Sequence, residues 1–245
     1  MRLPWRRTPV ERTGTMPLVD HLMELRRRIL ICFGAVIVCA TVVFIFYNPV
    51  LRFLSKPYLE VTGQKLIVTD PLAPLIVRLK ISGYGGLALS IPIIMWEIWR
   101  FVVPGLHKRE RRYGVWFAIS AVLLFLLGCL VAWFTITKAL DFLLTIGGSS
   151  LRPLIDENKY LTLVMLMFAA FGVAFEFPLL LVFLMLVGAL NTRQLRSARR
   201  WAAVGIATFA AVITPSADPF SMLFMAIPMY IFYEAAILVG RVMKR

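Results

Sequence analysis

Apolar positions in this sequence are bunched into long runs instead of alternating with polar ones. Six runs, at about 29–47, 79–99, 114–136, 160–189, 201–213 and 220–240, are dominated by Leu, Ile, Val, Phe, Ala, Met and Gly. All but the fifth approach or exceed the roughly 20 residues that cross a bilayer core at about 1.5 Å per residue. None shows the ten-residue alternation of a membrane β-strand. The pattern predicts an all-α polytopic membrane protein with six transmembrane helices, the last two short. The fifth run either spans a thinned bilayer or forms a re-entrant hairpin with the sixth through TPSADP, residues 214–219. Between the first two runs, residues 48–80 mix amphipathic pieces with Pro, Gly and Asp, which predicts an interfacial cap of short helices and turns.

Composition agrees with this reading. The 245 residues are 60% hydrophobic with a mean hydropathy of +0.82, above the roughly half-apolar content of soluble domains. The formal charge of +14 raises the question of nucleic acid. Lys and Arg, however, cluster before residue 29, at 100–112, at 193–200 and after 240, between apolar runs instead of along one face. Clusters on alternate connections are what membrane orientation demands, so both termini are expected on the cytoplasmic side, with no nucleic-acid partner. The division expected is a cytoplasmic segment 1–28, a single six-helix domain 29–240 and a short tail 241–245. No cleavable leader is expected, because the basic start is followed by a run of nearly spanning length.

One charge interrupts the fourth run. In FGVAFEFPLLLVF, residues 171–183, Glu176 has no basic residue nearby. A carboxylate at mid-bilayer costs about 2.5–3.5 kcal/mol on insertion scales, so it should be protonated, paired or wet. Pro178 is expected to kink the helix and free a carbonyl, and Gly172, a turn earlier, to thin that side of it.

Nucleotide-binding and hydrolase motifs are missing, which excludes the common enzyme classes and leaves no cofactor to expect. Cys32, Cys39 and Cys129 all lie within apolar runs, as small packing residues do. Two polar stretches remain, HLMELRRRI at 21–29 and WRFVVPGLHKRERRYG at 99–114. In the first, His21, Glu24 and Arg28 share a helical face, and the simplest reading pairs Glu24 with Arg27 or Arg28. The pairs His21/Glu24 and His107/Glu110 have metal-ligand types at helical spacing. So many neighbouring cations would repel a dication, so no metal is expected.

HLMELRRRI resembles the amino-terminal signature of TatC, the multispanning core subunit of the twin-arginine protein translocase. The likeness continues through TDPLAPL, LSIPIIMWEIWRFVVPGLHKRERR, FGVAFEFP and ITPSADPFSMLFMAIPMYIFYE, from about residue 17 to 241. It implies a receptor in the bacterial inner membrane that binds twin-arginine signal peptides and, driven by the proton-motive force, supports export of folded proteins. It implies signal-peptide recognition by Glu24 and Glu110, support from Arg26, a loop shaped by Phe101, Pro104 and Leu106, and a polar rim at Lys108. The implied partners are single-span TatA- and TatB-type subunits, further copies of the chain and membrane lipid. Glu176, Thr214 and Asp218 would be the intramembrane polar groups that dock partners. The alternative is a proton-coupled secondary transporter with Glu176 as relay; no inverted repeat supports it.

Overall fold

The computed structural model describes residues 18–102, 114–146, 155–216 and 218–242. These form α1 (Leu18–Ile45), α2 (Tyr47–Thr62), α3 (Ala73–Val102), α4 (Gly114–Ile146), α5 (Glu157–Phe175), α6 (Phe177–Leu186), α7 (Thr192–Ser197), α8 (Arg199–Ile213) and α9 (Pro219–Val242). Five spans among the described residues are long and apolar enough to cross a membrane: α1, α3, α4, α5 continued by α6, and α9. The sixth apolar helix, α8, has only 15 residues. At about 1.5 Å per residue it falls short of a bilayer core of about 30 Å. Large apolar side chains such as Phe33, Val38 and Trp201 stand exposed along the helices, a surface suited to lipid and not to water.

Apolar helix faces have no hydrophobic drive to associate in lipid, so close backbone approach supports their packing. α1 and α3 run antiparallel, and a Cβ at Gly86 would lie 2.5 Å from the backbone of Ala40; only glycine permits that crossing. α4 and α5 cross equally closely, where a Cβ at Gly128 would lie 2.6 Å from the Phe171 carbonyl oxygen. Gly172 corrects the sequence expectation of a thinned, wet helix side. It is buried, and a Cβ there would meet the Phe125 ring at 2.4 Å, so its smallness admits an aromatic ring from α4.

The expected cap is largely one helix. α2 follows α1 after a single-residue break and ends at Gly63, whose φ of 66° is left-handed. It is pinned to the first turn of α5 by Tyr160, whose hydroxyl donates to the Leu54 carbonyl at 2.8 Å. Beyond it the chain bridges Ile67 to Asp156: the Glu157 N–H donates to the Ile67 carbonyl at 2.9 Å. Asp156 also caps α5, accepting from the Lys159 N–H at 3.1 Å, and accepts from the Thr69 hydroxyl. Those bonds, the Thr69 hydroxyl first, hold its carboxyl below the ordinary aspartate range. A depressed carboxyl stabilises the fold fully above its unfolded pKa, near 3.8, and the effect fades as pH falls towards the folded value. The thermal midpoint of detergent-solubilised wild type should therefore exceed that of Asp156→Asn at neutral pH, the gap closing below about pH 4; a gap independent of pH would contradict this.

Candidate functional site

The first turns of α1 and the last turns of α3 meet at one end of the antiparallel pair. Arg28 pairs with Glu24, four residues earlier on α1, and reaches Glu97 of α3, which Arg100 also approaches. Arg28 uses Nε at 3.2 Å and Nη2 at 2.5 Å on Glu24 Oε1, and Nη1 at 2.5 Å on Glu97 Oε2. Arg100 approaches Glu97 Oε1 at 3.7 Å. One guanidinium thus lies between two carboxylates, as the planar five-donor fork allows. The side chains of Glu24, Arg28 and Glu97 are 23%, 15% and 7% exposed. Glu97 is therefore buried and needs a cation, whereas Glu24 lies closer to the surface. Beside this network the His21 ring stacks on Phe101 at 4.4 Å between centroids. His21 and Glu24 are thus engaged with an aromatic ring and a guanidinium.

Of the sequence-derived recognition residues, Glu24 and Phe101 stand in this cluster, and Arg26 is exposed outside the ion-pair network. Pro104, Leu106, Lys108 and Glu110 lie outside the described residues, in the connection between α3 and α4. Glu97 was not anticipated. Its signal was an acid three residues before Arg100 inside the apolar stretch LSIPIIMWEIW, the same kind of interruption that singled out Glu176.

Glu176 occupies the single-residue break between α5 and α6, with Pro178 in the first turn of α6, where its missing N–H is least costly. Glu176 Oε1 is buried without a hydrogen-bond partner. The side chain lines an open apolar cavity of about 450 Å³, walled by Trp99, Phe117, Phe177, Phe183 and Phe209 among others. A lone carboxyl in such a groove is a polar handle for whatever apolar segment fills it.

Thr214 and Asp218 do not join Glu176 around that cavity. Both are buried at the turn between α8 and α9. The Thr214 hydroxyl donates to the Ala210 carbonyl at 2.9 Å, and Asp218 Oδ1 accepts from the Ser221 N–H at 2.7 Å, capping α9. The second Asp218 oxygen is buried without a partner. At the other end of these helices, Arg199 pairs with Glu234 at 2.5 Å and fastens α8 to α9.

Fold and site together define a multispanning α-helical membrane protein with an ionic cluster at one end of a helix pair and one carboxyl in an apolar groove. The family model described as "Sec-independent protein translocase protein (TatC)" matches residues 20–228. TatC proteins of Frankia casuarinae and Escherichia coli K12 are 37% and 36% identical, over 96% and 93% of this chain and 68% and 89% of their own lengths. A crystal structure of the twin arginine translocase receptor TatC superposes with a TM-score of 0.78 at 34% identity, covering 92% of this chain and all of that one. The chain belongs to the TatC family and is a component of a protein translocase.

Proposed function

We propose that this protein is the receptor and core subunit of a twin-arginine translocase, binding twin-arginine signal peptides at the α1/α3 cluster and supporting export of folded proteins. The observation that carries the reading is the mode in which Glu24 holds Arg28: two donors of one guanidinium converge on a single oxygen, Oε1, of a carboxylate that is only half-buried. A carboxylate set up for that geometry accepts an arginine of a peptide in the same way, whereas a lysine offers a point charge without the fork. The resemblance to TatC adds Glu110 and Lys108 to the recognition residues, with Arg26 in support.

The Lys and Arg distribution supports a reading in which this end and both termini face the cytoplasm, with the protein in a bacterial inner membrane. Under this topology a cysteine introduced at Gly148 or Ala217, after removal of the three native ones, reacts with an impermeant thiol reagent from outside. One at Thr192 does not; the reverse pattern inverts the topology. Single-span TatA- and TatB-type subunits are the partners, with Glu176 as the polar handle in the groove they or the passing signal occupy, and the proton-motive force supplies the energy.

In cells whose only TatC is this chain, supplied with such partners, a folded reporter with a twin-arginine signal should be exported and its Lys-Lys counterpart retained. Retention of both, with the protein assembled in the membrane, would count against the reading.

A further inference from the structure

Arg28 is already bound where the proposed function needs Glu24 to be free. One part-buried guanidinium lies between two carboxylates that differ in exposure. Glu24 is the more exposed acid and shares α1 with Arg28, while Glu97 is the more buried one and stands on α3. Two donors of Arg28 go to Glu24 and one to Glu97. Arg100 is the second cation near Glu97, at 3.7 Å and 55% exposed, too long and too wet to take over from Arg28.

We propose that Glu97 is a positioning residue for signal recognition: it retains Arg28 while an incoming arginine of the signal peptide replaces Arg28 on Glu24. The proposal rests on the reading of Glu24 as a recognition carboxylate and assigns its internal competitor. Recognition is then an exchange of guanidinium groups. The incoming arginine gains a carboxylate, and Arg28 keeps a charge-assisted bond with Glu97 instead of becoming an unpaired, part-buried cation, which would be unfavourable. The exchange conserves the number of ion pairs, and an incoming guanidinium, unlike an ammonium, also restores in the same planar geometry the two N–H bonds that Glu24 accepted from Arg28. Glu97 thereby contributes to selection of arginine over lysine without touching the peptide. The crossing of Gly86 on Ala40 sets the helix register that brings Glu97 within reach of Arg28.

The variants follow from the same logic. Glu97→Gln leaves Arg28 with Glu24 as its only anion partner, so peptide binding must break that pair outright; affinity for a twin-arginine peptide should fall roughly tenfold, about what loss of one charge-assisted bond implies. Glu97→Asp keeps the charge and should recover part of that loss. In the double variant Arg28→Gln with Glu97→Gln the competitor and its retaining acid are both gone, and no buried charge is stranded. Affinity should return to the wild-type level or above.

The measurement is equilibrium binding of a labelled signal peptide and its Lys-Lys counterpart to each full-length variant in nanodiscs, with helicity and monodispersity checked in parallel. A purely structural Glu97 would make the double variant at least as weak as Glu97→Gln. That result, or Glu97→Gln binding as tightly as wild type, overturns the exchange while leaving Glu24 as receptor. Should Glu97→Gln fail to fold, wild-type-like affinity in the double variant still supports the exchange and reduced affinity there overturns it. Wild type failing to prefer the twin-arginine peptide overturns the underlying reading as well.

Discussion

Glu24→Ala is expected to weaken twin-arginine peptide binding by about 1–3 kcal/mol, the range for removing one charge-assisted hydrogen-bonding partner. The expected loss is confined to binding because Arg28 keeps Glu97 at 2.5 Å, so the α1/α3 pair retains one ion pair when Glu24 is removed. Helix content and membrane insertion should therefore match wild type. Glu110→Ala is expected to lose binding by a similar amount if the α3/α4 connection supplies the second carboxylate. Affinity for a Lys-Lys peptide should change much less in either variant. A Glu24→Ala protein that is properly folded and binds the twin-arginine peptide at full strength would remove the central residue from the account.

The second large effect is expected at Glu176, and there the outcome separates two functions. Its Oε1 is buried without a partner in an apolar groove. A docking role needs a hydrogen-bonding group and not a titrating one, so Glu176→Gln should largely preserve export. Glu176→Leu should sharply reduce it while leaving signal-peptide binding at the α1/α3 cluster intact. A proton relay in a secondary transporter requires titration, which Gln does not supply. Export and peptide crosslinking measured for both variants decide the matter: if Gln is as inactive as Leu, hydrogen bonding alone does not account for the carboxyl.

Much of this architecture was legible as periodicity, because in a bilayer the apolar run is the structural signal. The face shared by His21, Glu24 and Arg28 followed from helical spacing alone, and the structure keeps it. What lay beyond reach were contacts between helices. Glu97 partners Arg28 only because glycine at 86 lets α1 and α3 approach in one register, and no local pattern encodes that pairing. Gly172 was misread for the same reason: a glycine one turn before Glu176 suggests a thinned helix side, whereas the ring of Phe125, distant in sequence, explains it. Thr214 and Asp218 invited grouping with Glu176 as intramembrane polar residues. Their local caps in the α8/α9 turn show that polarity in an apolar region is first spent on the backbone. The shortness of α8 was visible in the sequence; its attachment to α9 through Arg199 and Glu234 was not.

The most direct measurement is the affinity of the purified wild-type protein, in nanodiscs of bacterial lipid, for one signal peptide carried in two forms, Arg-Arg and Lys-Lys. Because a carboxylate already engaged by an internal guanidinium yields only to a ligand of the same geometry, the Arg-Arg form should bind at least about tenfold more tightly. Equal affinities for the two forms would contradict recognition by the guanidinium fork.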